Sequence, residues 1–257
     1  MSRAEVAEGA EPAAAPIRRT RARTAVEAAA TATGGGALGW LVSRPLGLGW
    51  FGAVVGAANG AVSGGRGIYD WRSTRGLVAF GLDSTWNLVG VTAALVVHAV
   101  NVAGRVPVAD DLARRQGRHV YAGGFRIRRG FVVCVGNVVS AATGPGGLDP
   151  ATPAGARRRR LVEVHEDLHV WQQRWFGPLF VVAYAAWSAG GVVVGSLAWL
   201  RHGRAHRIRD WIETAAYYDN PFEYWAYRAD GSWPPHATVP ALAWGPRRPR
   251  APSFEIS

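Results

Sequence analysis

"VEVHEDLHVWQQRWFGPLFVVAYAAW" (residues 162–187) changes character halfway along. Its first half carries His165 and His169, four residues apart, with Glu166 between them. Its second half opens the stretch 178–200, which holds 23 residues and no charge. A helix of that length is about 35 Å long, enough to cross the ~30 Å hydrocarbon core of a bilayer. Upstream, Leu161, Val164, Leu168, Trp171 and Trp175 recur at helical spacing, which predicts an amphipathic helix with this stripe toward a core. Gly177-Pro178 predicts its end.

His165-Glu166-Asp167-Leu168-His169 is an H-E-x-x-H pattern. Side chains four apart share a helix face with β-carbons roughly 6 Å apart, so both imidazoles reach one zinc ion at about 2 Å. Glu166 points beside such an ion and is placed to take a proton from an activated water. Downstream, residues 217–227 read "YYDNPFEYWAY". Asn220-Pro221 predicts a cap and first turn, which puts Glu223 early in a second helix. A carboxylate there is the third ligand expected of a His-His-Glu site that leaves a fourth position open. Ala226, small and one turn on, lets the two helices approach. Glu213 and Asp219 are the competing ligands. Cys134 is the single cysteine, which excludes an internal disulfide and a cysteine-based metal cluster.

These residues carry a resemblance. "HEDLHVWQQRWFGPLF" followed by "DNPFEYWAY" resembles bacterial membrane-associated proteins that share H-E-x-x-H-V-x-Q, a Gly-Pro-Leu step and N-P-F-E-x-x-A. More distantly it is similar to the gluzincin metallopeptidases, over about residues 117–230. The resemblance implies His165 and His169 as zinc ligands, Glu223 as the third ligand and Glu166 as general base. It also implies a strand pair before the zinc helix, at "GFVVCVGNVVS". The oxyanion-stabilising position of that class matches no single residue; Tyr217, Tyr218, Tyr224 and Tyr227 are the candidates.

Composition points to a bilayer. Only 18% of residues are charged and 49% are hydrophobic, with 33 glycines and 12 tryptophans. The net charge of +11 comes from arginine alone, since the chain has no lysine, a usage expected of a GC-rich, bacterial genome. The arginines cluster beside apolar segments, the arrangement of cytoplasmic flanks rather than of a nucleic-acid face. Residues 1–32 read as a disordered basic tail. Residues 33–104 read as a two-span membrane region, with Arg44-Pro45 breaking or starting the first span. Gly52, Gly56, Gly60 and Gly64 recur every fourth residue and line one helix face, a site for close packing that a second copy of the chain could occupy. The second expected span, about 77–102, contains Asp83, Asn87 and His98.

Residues 105–230 form the expected metal-site domain. Within it, 121–140 predicts a β-hairpin with its turn at Arg129-Gly130 and a returning strand at 131–136, suited to holding substrate by strand addition. Residues 143–155 read as a loop and 231–257 as a Pro-rich tail. One conflict stands out: a full crossing at 178–200 would leave His169 and Glu223 on opposite sides of a membrane. The expected resolution is a dip, two short helices of about 179–189 and 192–200 broken at Gly190-Gly191; a surface-lying helix is the alternative. The fold class is therefore a mainly α membrane protein with a small β-hairpin, two transmembrane helices and a zincin-like site. The expected activity is that of a zinc peptidase at the cytoplasmic side of a bacterial inner membrane, with lipids and a peptide substrate as partners. The alternative is a non-catalytic, glycine-zippered assembly protein with a structural or vestigial metal.

Overall fold

The computed structural model describes residues 20–128, 130–144, 147–202, 206–236 and 238–244. The expected tail over residues 1–19, Arg129 of the expected turn, residues 145–146 of the loop and the tail beyond 244 lie outside them. Helices dominate. α1 (Arg21–Ser43) and α2 (Gly49–Arg66) are joined by a short turn, and α3 (Thr74–Asp83) and α4 (Leu88–Ala103) follow, then the single turn α5 (Asp110–Ala113). Strands β1 (His119–Val120), β2 (Val133–Val135) and β3 (Val138–Ser140) form a sheet in the order β1-β3-β2. α6 (Pro153–Arg160) runs through a π-helical turn, Leu161–Glu166, into α7 (Asp167–Phe176). α8 (Pro178–His202), α9 (Ile208–Glu213), a second π turn (Thr214–Tyr218) and α10 (Pro221–Asp230) complete the chain.

The expected disordered tail ends early, because α1 begins at Arg21, capped by the Thr20 side chain on the Arg23 amide at 3.3 Å. α1 and α2 form an antiparallel hairpin in which Gly35, Gly39, Gly52, Gly56 and Gly60 bring the backbones together. A β-carbon on Gly56 would lie 2.1 Å from the Gly35 carbonyl oxygen, so nothing larger fits. The same holds at Gly60 against Thr31, whose hydroxyl donates to the Gly60 carbonyl at 2.6 Å. The glycine face offered to a second copy is thus filled by α1 of the same chain. That corrects the expected self-association through Gly52, Gly56, Gly60 and Gly64.

The second expected span is not straight. α3 and α4 meet at 88°, broken where Asp83 and Asn87 turn into the protein. Both are fully buried, and His98 bonds the Tyr121 hydroxyl at 2.8 Å. Among the described residues, α8 alone is a single helix long and apolar enough to cross a membrane. It runs unbroken through Gly190-Gly191, so the expected dip does not form. The glycine serves packing instead: a β-carbon on Gly191 would meet the Ala216 Cα at 2.4 Å. The return leg Ile208–Tyr218 lies along α8, where Trp187 and Ser188 donate to the Ala215 and Ala216 carbonyls at 3.1 and 3.3 Å. A helix pair, out along α8 and back along α9, therefore delivers α10 to α7.

The β-hairpin forms one segment later than expected. β2 and β3 pair antiparallel, with Val135 opposite Val138, so Gly136-Asn137 is the turn. Gly136 takes the positive φ of 54° that such a tight connection requires. Residues 121–128 contribute only an isolated bridge at Tyr121, because β3 pairs instead with β1, in parallel.

α7 is docked by three consecutive side chains. Gln172 donates to the Phe222 carbonyl of α10 at 3.0 Å. Gln173 accepts from the Gly136 amide of the hairpin turn at 2.6 Å. Arg174 grips Asp83 with two hydrogen bonds, 2.9 and 2.7 Å, and both residues are wholly buried. Asp83 also accepts from Tyr69 and Asn137 at 3.0 and 3.2 Å, and Asn137 reaches Asn59 of α2 at 2.9 Å. The predicted apolar stripe is turned aside in consequence. Of that stripe Trp171 is buried, Leu161, Val164 and Leu168 are half-buried and Trp175 is exposed, whereas Val162, His165, Glu166, His169, Val170 and Gln172–Arg174 are buried. Removing one partner of a buried pair strands the other charge, at a cost of about 3–5 kcal/mol. Arg174→Met or Asp83→Leu should therefore lower unfolding stability in detergent by about that much. The double variant should lose clearly less than the two single losses added, as a double-mutant cycle on thermal unfolding would measure.

Candidate metal centre

His165 and His169 lie on one face where the π turn passes into α7. The π turn widens the helix at the motif itself, a local irregularity that often marks functional positions. α10 crosses this face with Glu223 in its first turn, behind the Asn220 cap and Pro221. Three atoms converge: His165 Nε2 and His169 Nε2 stand 3.2 Å apart, and Glu223 Oε2 lies 3.6 and 3.5 Å from them. Tetrahedral ligands at about 2.0–2.1 Å from one ion are roughly 3.3 Å apart, so the triangle has the size of a zinc site. All three residues are buried and their candidate ligand atoms lie within 4.8 Å of one another. Glu223 Oε2, buried and without a hydrogen-bond partner, points into the triangle. The residues present therefore fit a divalent metal with nitrogen and oxygen ligands.

Each ligand is held from behind. The other imidazole nitrogen of His165 bonds Asp230 Oδ2 at 3.1 Å, and that of His169 bonds Gln172 Oε1 at 2.8 Å. The second oxygen of Glu223 accepts from the Tyr184 hydroxyl of α8 at 2.9 Å. Such outer partners fix which nitrogen faces the ion. Glu223, Tyr227 and Asp230 sit at helical spacing on α10, and the Tyr227 ring packs on His165 at 4.6 Å. The competing ligands do not join. Glu213 pairs with Arg128 at 2.9 Å, and Asp219 accepts from the Trp244 amide at 3.0 Å.

Without a metal, the two imidazoles and the carboxylates hold one another in their charged forms. Burial raises the Glu223 pKa, but His169 and His165 outweigh it and hold the carboxyl well below the usual range. Burial lowers the His165 pKa, yet Asp230 and Glu223 reverse this and lift it to about 10. His169 is raised by Glu223 in the same way, against burial. Glu166 is pushed up, chiefly by burial. Burial likewise drives the Cys134 thiol well up, so it stays protonated beside the site.

The triangle opens on a cavity of about 510 Å³, whose walls include Glu166, the three ligands and Tyr217. The edge strand β2 forms one wall, and Phe180 and Tyr184 from the first turns of α8 form another. Of the candidate tyrosines, Tyr217 lines this cavity, Tyr227 flanks His165, and Tyr224 packs between Trp233 and Trp244. Tyr218 packs on Tyr217 and Tyr227. Comparison of the chain with protein-family models, with characterised proteins and with solved structures gives no match.

Two outcomes follow from the geometry. At neutral pH His165 carries a proton that a metal must displace, so zinc binding should release protons and strengthen as pH rises. Calorimetric titration in buffers of different ionisation enthalpy would show this as a buffer-dependent heat, and a buffer-independent heat would contradict it. Asp230→Asn and Gln172→Ala should each weaken zinc binding by about 10–100-fold, read by competition with a chromogenic chelator.

Proposed function

We propose that this chain is a membrane-anchored zinc metallopeptidase of the H-E-x-x-H class, gluzincin-like in its His165, His169 and Glu223 ligands. The observation that carries the reading is the three-ligand triangle, closed behind by Asp230, Gln172 and Tyr184 and open in front to a cavity. A structural zinc would be four-coordinate and enclosed, whereas three protein ligands facing free space leave a position for reaction. Asp219, the residue that could have closed the site, is engaged elsewhere. This favours catalysis over the scaffold alternative.

Zinc held there would supply Lewis acidity to a carbonyl oxygen and lower the pKa of a water. The chain supplies the rest. Glu166, buried in the cavity wall with its pKa raised by burial, accepts a proton from the attacking water and returns it to the leaving amine. Of the four tyrosines the sequence offered, Tyr217 lines the cavity and is the candidate for stabilising the developing oxyanion; the Tyr184 hydroxyl, on the same cavity, donates to Glu223. Among the described residues β2 is the outer strand of its sheet and lines the cavity, so an extended peptide can add to it as a further strand. α8 anchors the protein in a bacterial inner membrane through the faces its return leg leaves open. The arginine clusters beside the apolar segments favour the cytoplasmic side for the site.

The decisive variants separate binding from chemistry. Glu166→Gln should retain zinc and lose about 10²–10⁴-fold in peptide hydrolysis, while Glu223→Gln and His169→Ala should lose the metal itself. Elemental analysis beside a peptide-cleavage assay checks both. Full zinc occupancy in the ligand variants, or unchanged hydrolysis in Glu166→Gln, would overturn the reading.

A further inference from the structure

The α1–α2 hairpin is built inside out. Its buried residues are small or polar: Thr31, Gly35, Gly39 and Ser43 from α1 and Gly52, Gly56, Gly60 and Gly64 from α2 on the face between the helices, with Asn59, Ser63 and the one larger apolar member, Val55, turned to Asn137, His119 and α4. Its large apolar residues face outward. Leu46 is 76% exposed and Trp50 82%, and Leu41, Leu48, Phe51 and Val54 are exposed with them. In water the hydrophobic effect drives the opposite arrangement, whereas in lipid small residues meet and large ones face the solvent. These exposed residues lie on both helices and on the turn between them. A protein partner would cover one face; a bilayer covers them all.

The charges agree. No charged residue occurs in 28–43 or in 45–65, so the uncharged part of α1 is about 24 Å long, close to the hydrocarbon thickness. At the base of the hairpin Arg21 and Arg23 are exposed, as is Arg72, whose neighbour Trp71 is tied to Glu27 of α1 at 3.0 Å. These suit anionic headgroups. At the tip the single cation, Arg44, lies over the Trp40 ring at 5.1 Å, and Arg-Trp pairs favour a membrane interface. Backbone groups of the turn are satisfied internally, with the Gly47 and Leu48 amides on the Arg44 and Ser43 carbonyls at 3.0 and 3.1 Å. Neither helix alone is as apolar as α8, because glycine, threonine and serine fill the face it turns to its partner. Lipid would meet only the outer faces.

We infer that α1–α2 inserts into the bilayer as a helical hairpin, tip first, with its arginine-bearing base at the headgroups. This membrane contact is separate from α8 and independent of the metal reading. The test is a fluorescent label on Leu46→Cys, on Trp50→Cys and, at the base, on Arg72→Cys. Each is placed in a Cys134→Ser background and reconstituted in phosphatidylcholine–phosphatidylglycerol vesicles. All three labelled positions are exposed, so the labels leave the fold intact, and an unchanged thermal unfolding midpoint checks this. Labels at 46 and 50 should emit to the blue of that at 72, be quenched by nitroxide-bearing lipids, and resist aqueous iodide several-fold better. Iodide quenching equal at all three positions would overturn the inference. So would protection of 46 and 50 from both quenchers, which would put a protein partner over the tip.

Discussion

A guanidinium and a carboxylate, both without contact to solvent, hold this structure in register. Arg174 sits at the end of the helix that carries His165 and His169, and Asp83 sits at the break between α3 and α4. Neither charge tolerates burial alone, so the two must meet, and in meeting they fix where α7 lies. Asp83 then gathers Tyr69 and Asn137, and through Asn137 the network reaches Asn59 of α2. The glycine hairpin, the bent helix pair, the small sheet and the metal helix thus share one polar hub. The candidate ligands His165 and His169 lie nine and five residues before that anchor, which sets their facing toward α10.

The same inversion runs through the molecule. α7 buries His169, Gln172, Gln173 and Arg174 beside Val170 and Trp171; the interior of α1–α2 is glycine, threonine and serine; the outward surfaces of α2, α4 and α8 are valine, leucine and tryptophan. In these elements polar groups pair inside, where a low dielectric strengthens them, beside apolar clusters such as Val120, Val139, Val162 and Val170 under the sheet. Precision at the site comes from this interior. Gln172 serves both His169 and the Phe222 carbonyl, so one amide orients a ligand and docks the helix that brings Glu223.

Local chemistry was legible in the sequence. The H-E-x-x-H spacing, the Asn220-Pro221 cap and the acid three residues after Asn220 place His165, His169 and Glu223 together, as they lie in the structure. Asp230 and Tyr184 were missed. Asp230 had a signal, seven residues after Glu223 and so on the same helix face, whereas Tyr184 looked like one more residue of an apolar run. Reading apolar residues as core misplaced the stripe of α6–α7, because here the hub draws polar residues inward. The hairpin shifted because a parallel partner, β1, lies too far off in sequence for local pattern to register. Gly190-Gly191 suggested a break, since a glycine that ends a helix and one that admits a neighbour's backbone look alike until the neighbour, Ala216, is known.

The proposed function rests on His165, His169 and Glu223 holding a zinc ion through nitrogen and oxygen alone, with a position left open. X-ray absorption at the zinc edge of the zinc-loaded protein addresses it directly. The expected result is a shell of nitrogen and oxygen at about 2.0–2.1 Å with two imidazoles and no sulfur. A sulfur shell at about 2.3 Å, which would bring Cys134 to the metal, or a site with one imidazole or none, would contradict it.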